Sequence, residues 1–102
     1  MTAHILYSKI DKNNVATFSN KIISKVIRKK IGFKGILISD DISMKALKGN
    51  IIKNARLSLK AGCNLVMHCN GNIKESTNLL KNLGKIDKFT EKKTYKFYEF
   101  LR

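Results

Sequence analysis

The sequence predicts an α/β fold built on a parallel sheet, and three observations carry that prediction. Short apolar stretches at residues 1–7, 36–38 and 64–69 alternate with amphipathic helical patterns. They recur near residues 3, 36 and 65, a spacing of about thirty residues, the size of one βα unit. The middle stretch, Ile36-Leu37-Ile38, is apolar on both faces, as a strand covered on both sides in a parallel sheet should be. Crossovers between such strands are right-handed. Three units of this kind make either a small open sheet or three consecutive units of an eight-unit barrel, which in full takes about 250 residues.

Residues 1–7, MTAHILY, read as the first strand, followed by a polar connection with the turn formers Asp11, Asn13 and Asn14. Ser19 is placed to N-cap a helix of about a dozen residues. Ile22, Ile23, Val26, Ile27 and Ile31 form its apolar stripe, with Lys21, Lys25, Arg28 and Lys29 largely opposite. Gly32 ends it in the left-handed conformation, and Phe33 is expected to fold back onto Ile27. Beyond the second strand, Met44, Ala46 and Leu47 suggest a short helical turn before Gly49.

A second helix is expected from about Asn50, with Ile51, Ile52, Ala55 and Leu59 inward and Gly62 as its C-cap. Asn64–Cys69 gives the third strand. Asn72 and Glu75 have the spacing of a capping box for a helix bearing Ile73, Leu79, Leu80 and Leu83, which stops at Gly84. A last basic helix starts near Thr90, with Tyr95, Phe97, Tyr98 and Leu101 available for packing. Two regions result: residues 1–84, holding the three βα units, and a helical extension over 85–102.

At 102 residues with 43% hydrophobic content, the chain suffices for a modest core. No stretch approaches the run of about 20 apolar residues that spans a bilayer. The first residues lack the pattern of a secretory signal, so the expected location is the cytoplasm. The formal charge is +14, from 21 Lys and Arg against 7 Asp and Glu. It invites a nucleic-acid reading. Against that, the only arginines are Arg28, Arg56 and Arg102, and the lysines are spread along the chain, as on solvated helix faces. Cys63 and Cys69 are separated by roughly 20 Å of extended chain, beyond disulfide reach, and are expected as reduced, buried thiols. One strand cannot wrap Cys63, His68 and Cys69 around an ion, so no metal site is expected.

The chemistry is expected at Ser39-Asp40-Asp41, because α/β folds place their sites just beyond the carboxyl ends of parallel strands. Strand parity puts Asp40 on the face of Ile36 and Ile38, and Asp41 on that of Leu37 and Ser39. Only one of the two can then point into a shared pocket. The other is free to cap the turn at 42–47. The plainer reading is a pair of N-capping acids.

The run VIRKKIGFKGILISDDIS, residues 26–43, resembles the active-site signature of family 3 glycoside hydrolases. It supplies that pattern's apolar pair, Val26-Ile27, its basic residue, Arg28, and its glycine, Gly35. The apolar triplet Ile36-Leu37-Ile38 and the Ser39-Asp40 pair complete it. MTAHILY, SDDISMKAL and AGCNLVMHCN are similar to the bacterial β-N-acetylhexosaminidase branch, so the likeness covers essentially residues 1–84. Asn64 departs from it, standing where that branch commonly has Asp, and is expected to matter for packing near the last strand more than for chemistry.

The resemblance implies the last three βα units of a (β/α)8 TIM barrel plus a C-terminal helix, with no cofactor. It assigns Asp40 as the nucleophile of a retaining mechanism acting on terminal N-acetylglucosamine of cell-wall-derived glycans. His4 and Met44 become candidate substrate-binding residues, His4 also reading as a hydrogen-bonded core histidine. The branch's general acid/base histidine and its Lys-His segment lie upstream of the matched region. The expectation is therefore a C-terminal barrel fragment bearing the nucleophile, inactive alone, that self-associates or needs the missing units. A non-catalytic subunit working through a partner chain, and a small basic nucleic-acid-binding protein, are the alternatives from other classes. A receiver-like phosphoacceptor would need a further acid after another strand, which Cys69-Asn70 does not supply.

Overall fold

The computed structural model describes residues 1–102 and shows a small α/β unit of two parallel strands and four helices. Strand β1 (Ile38–Asp41) and strand β2 (Leu65–Met67) form the sheet. Helix α2 (Ile51–Ala61) crosses between them, so this middle portion is the βαβ unit expected of the spacing. Helix α1 (Lys21–Lys30) precedes it. Helices α3 (Ile73–Asn82) and α4 (Lys88–Phe100) follow.

Local chemistry explains the helix ends. Ser19 Oγ accepts the N–H of Ile22 (3.1 Å) and donates to Asp11 Oδ2 (2.6 Å), fixing the start of α1 against the preceding turn. Helix α1 is wound wider than an α-helix along its whole length, as a π-helix, and at its end the N–H of Ile31 reaches back five residues to Val26 O (2.8 Å). Gly32 then adopts φ 74° and Phe33 N–H bonds to Ile27 O (3.1 Å), closing the helix as its sequence predicts. The Phe33 ring lies over the Arg28 guanidinium, 5.4 Å from ring centroid to Cζ. Asn50, Asn72 and Asp87 cap α2, α3 and α4 by accepting the N–H groups of Lys53, Glu75 and Thr90.

Several expectations need correction. Residues 1–7 do not form a strand, so the sheet has two strands and not three. Thr2 N–H does reach Ile38 O (2.8 Å), one bond of the kind a neighbouring strand makes. The ladder stops there because Ala3 O and Ile5 O accept instead from Thr17 N–H and Ala16 N–H, in the short 3-10 turn Ala16–Phe18. The middle strand starts two residues late. Leu37 N–H is taken by the Asn64 side chain (2.9 Å), so only its carbonyl joins the ladder, accepting Leu65 N–H (3.3 Å); at the other end β1 runs on to Asp41 and contains both acids. The last strand is likewise only three residues long.

The register pairs Ile38 with Leu65 and Asp41 with Met67, so β1 carries one residue more than β2 across the same interval. Ser39 Oγ supplies the acceptor for Met67 N–H (3.0 Å), and Ile42 N–H bonds to Met67 O (2.9 Å). Parity therefore holds through buried Leu37 and Ser39 and then slips by one. Ile42, not Asp41, is the next buried residue.

Two apolar clusters flank the sheet. Ile23, Leu37, Ala61 and Cys63 pack with Ile27 in one. Ile42, Leu47, Ala55 and Leu79 form the other, backed by Val15, Phe18, Ile51, Ile52, Val66 and Leu83. Gly62 lets α2 end against α1: its φ is 120°, and a Cβ there would lie 2.8 Å from Ile23 Cγ2. The inward face of α2 is composed of Asn54, Ala55, Ser58 and Ala61, smaller and more polar than the periodicity suggests. Ile73 and Leu80 are 80% and 79% exposed, so only Leu79 of the α3 stripe is buried. Ile31 and the α4 aromatics Tyr95, Phe97, Tyr98 and Phe100 are also exposed. Cys69 is exposed, contrary to the expectation of two buried thiols, whereas Cys63 is buried and burial raises its pKa. No helix is long and apolar enough to cross a membrane.

Candidate active site

Asp40 sits half-buried in β1 near the strand's carboxyl end, inside the irregular stretch of the ladder. Its Oδ1 accepts the N–H of Asp41 (2.8 Å). That bond fixes the carboxylate relative to a backbone which is itself tied down.

Asp41 is the tie point. Its Oδ1 accepts Ser43 N–H (3.0 Å), the Ser43 hydroxyl lies within 2.8 and 2.7 Å of its two oxygens, and Cys69 N–H reaches Oδ1 (3.2 Å). Burial raises the Asp41 pKa, but the Ser43 backbone and hydroxyl, the Cys69 N–H and the nearby His68 charge outweigh it and hold the acid below its ordinary 3.8. Asp41 thus binds the turn at 42–47 and the end of β2 together, the capping role parity left open for one of the two acids.

His4 reaches the same residue from the N-terminal segment. Its Nε2 donates to Asp41 O (2.8 Å), because a carbonyl oxygen can only accept, and its Nδ1 lies 2.9 Å from Thr17 Oγ1. Both ring nitrogens are therefore engaged within the protein. Met44 lies exposed on the turn after β1, and its N–H also points to Asp41 O (3.2 Å). The structure gathers Asp40, His4 and Met44 around the backbone of Asp41.

His68 follows β2. Its Nε2 donates to Glu75 Oε2 (3.0 Å) and its Nδ1 lies 3.1 Å from Ser76 Oγ. The Asn70 amide also donates to Glu75 Oε2, and this bond together with His68 lowers the Glu75 pKa. The capping box expected of Asn72 and Glu75 is half formed. Asn72 accepts Glu75 N–H, but its own N–H goes to Asn70 Oδ1 while Glu75 turns to His68.

Ser39 and Ser43 support the end of β1 through hydrogen bonds that sequence reasoning passed over. Ser43 has a readable signal, a hydroxyl two residues after an acid at a strand end. Ser39 carries one only through its place in the signature. Clefts of about 370 and 510 Å³ open elsewhere, one lined by Asn50, Ile52, Glu75 and Asn78, the other by Arg28, Phe33, Asn64 and Phe89; Asp40 lines neither.

Residues 1–95 match the glycosyl hydrolase family 3 N terminal domain. The chain belongs to this family. Among relatives of the family 3 chain, a beta-hexosaminidase of Methylobacillus flagellatus is 42% identical over 72 residues, covering 69% of this chain and 20% of the relative. One of Shewanella frigidimarina is 39% identical over 75 residues, covering 72% and 22%. The family 3 chain thus spans about a fifth of the length of these relatives. Among solved structures, the beta-N-acetylglucosaminidase of Thermotoga maritima superposes with a TM-score of 0.66 at 36% identity, over 97% of this chain and 23% of that one. CbsA of Thermotoga neapolitana superposes at 0.71 with 27% identity, over 99% and 24%.

Proposed function

We propose that the chain provides the nucleophile-bearing segment of a retaining β-N-acetylhexosaminidase, with Asp40 attacking the anomeric carbon of a terminal N-acetylglucosamine. The observation that carries this reading is the placement of Asp40 near the carboxyl end of a parallel strand, its Oδ1 on the N–H of an Asp41 that is itself anchored. An ionised carboxylate in that position forms a covalent glycosyl-enzyme through an oxocarbenium-like transition state, and water then releases the sugar. His4 acts by holding Asp41 O, and through it the strand end; exposed Met44 offers a wall to the sugar.

The segment corresponds to the last three βα units of a (β/α)8 barrel, with residues 1–7 standing where an adjacent strand would lie beside Ile38. The names of the relatives and the shared 20 to 24% of their length support a role within a larger assembly, alongside the polypeptide that carries the other units. The free thiols Cys63 and Cys69 suit a reducing compartment such as the cytoplasm. A second reading, a non-catalytic subunit that works by binding such a polypeptide, rests on the exposed apolar residues Ile5, Leu6 and Tyr7 of the N-terminal segment.

The test is hydrolysis of a chromogenic N-acetylglucosaminide by the chain assembled with the upstream units. Asp40→Asn is expected to lose activity on the order of 10⁴-fold or more, as removal of other enzymes' central catalytic groups does. Normal turnover by that variant removes the nucleophile assignment. Absence of activity in the assembled wild type favours the second reading.

A further inference from the structure

At the pole opposite Asp40, where β1 is entered rather than left, a cleft of about 510 Å³ is lined by Arg28, Phe33, Lys34, Asn64, Asp87, Phe89 and Lys93. Its centre is a cation without an anionic partner. Arg28 Nη1 donates to Phe33 O (2.9 Å) and Gly35 O (2.7 Å), and Nη2 to Asn64 Oδ1 (2.7 Å). All three acceptors are neutral. The chain's single ion pair is His68–Glu75, so no carboxylate is paired with this guanidinium. Of the five N–H donors of an arginine, those three bonds leave two unspent.

The surroundings repeat the sign. Lys93 Nζ and Arg28 Cζ both lie against the Phe89 ring, 5.6 and 5.8 Å from its centroid, and Lys34 lines the same cleft. Asp87 is the one acid there, and its Oδ1 is already taken by Thr90 N–H (2.6 Å). That bond lowers the Asp87 pKa and keeps the carboxylate ionised, so three cations face one anion and the cleft stays net positive. Asn64 cannot correct the balance: its Oδ1 is shared between Arg28 and Leu37 N–H, and its amide nitrogen donates to Thr90 Oγ1 (3.0 Å). A guanidinium with spare N–H groups beside two ammonium groups is the donor set that recognises a phosphate, by a planar fork plus point charges.

We infer that this cleft is a binding site for a phosphate group, free or carried at the end of an ester, held by Arg28, Lys34 and Lys93. The inference is independent of the role of Asp40.

The experiment titrates the 102-residue chain with inorganic phosphate at pH 7 and ionic strength held constant with sodium chloride, following the Arg28 Nε–H and the backbone amides of Phe33, Lys34 and Phe89 by NMR. Saturable shifts with a midpoint on the order of 1 mM are expected. Asn64→Asp places a carboxylate against Arg28 and should weaken the midpoint at least tenfold. Lys93→Ala alters only the cleft wall and should weaken it severalfold, which keeps the test decisive should Asn64→Asp disturb the fold. O-Phosphoserine separates the sources: equal binding identifies free phosphate as sufficient, and tighter binding identifies an ester. Non-saturating shifts that chloride reproduces, or midpoints unchanged in both variants, overturn the site.

Discussion

The imidazole of His4 holds the carbonyl oxygen of Asp41 at 2.8 Å, so the only hydrogen bond between the N-terminal segment and the end of β1 is made by a side chain and not by a ladder. Its other ring nitrogen faces Thr17, whose own N–H and hydroxyl reach Ala3 O. One residue therefore ties residues 1–4, the turn at 16–18 and the strand end together. His4→Ala is expected to destabilise the chain by about 1–3 kcal/mol, the cost of leaving partly buried polar groups unmatched. His4→Gln keeps a donor and should recover part of the loss. Urea unfolding of the three proteins checks both, and equal midpoints would refute this role.

Acidification should unpick the same region. The folded pKa of Asp41 lies below its ordinary 3.8, so the stability it contributes is complete above that value and is lost as pH falls through the lowered one. Asp11 behaves alike, brought down to about 2 chiefly by the Ser19 hydroxyl and then by the Asn13 N–H. Unfolding midpoints should fall as pH drops from about 5 to about 2. Asp41→Asn should be less stable at pH 7 and show a flatter acid limb. A wild-type limb in that variant would exclude Asp41 as the source.

Asp40 differs in kind. It accepts one bond, from Asp41 N–H, and an asparagine oxygen can accept the same bond. Asp40→Asn should therefore leave thermal stability within about 0.5 kcal/mol of wild type, the range of substitutions that disrupt no packing or network. A loss of several times that size would make Asp40 a structural acid.

Ser39 is fully buried, and its hydroxyl oxygen is the acceptor for Met67 N–H (3.0 Å). Ser39→Ala removes this acceptor from Met67 N–H and empties a closed space, and should cost about 1 kcal/mol. Ser39→Thr keeps the acceptor but adds a methyl group in a closed space. Faster amide exchange at Met67 in the alanine variant is the direct readout.

Gly62→Ala combines a φ of 120° with a Cβ 2.8 Å from Ile23 Cγ2. A destabilisation of about 1–3 kcal/mol is expected from backbone strain alone, with packing adding to it. Ile23→Ala in the same chain removes Cγ2 and should relieve the packing part of the strain, while the backbone part remains. Chemical unfolding of the single and double variants measures the split.

What the sequence revealed, and what it hid, follows the range of each interaction. The caps at Ser19 and Asn72, the left-handed Gly32 and the stop at Gly62 depend on neighbours within a few residues, and all are legible there. The βαβ core follows from spacing and an apolar run. Residues 1–7 read as a strand because their pattern suits one, yet whether a ladder forms depends on where Ala3 O and Ile5 O find donors, and those lie in the 16–17 turn. Parity separated Asp40 from Asp41 correctly in principle, but an inserted residue cannot be seen without the partner strand. The sharing of Asn64 Oδ1 between Arg28 and Leu37 N–H spans 36 and 27 positions of chain, out of reach of any local rule. The placement of Asp40 at a strand end was legible; its support by Ser43 and Cys69 was not.

The four-against-three register from Ile38 to Asp41 bears on how this segment tolerates change. Deleting the one residue between Ser39 and Asp41 would restore an even ladder and leave Ile42 on the buried face, two positions after Ser39, but the residue lost is Asp40 itself. Point substitutions can be absorbed here, but changes of length cannot. Variation among working descendants of this chain should accumulate in the loops on either side while the count of residues from Leu37 to Ile42 stays constant.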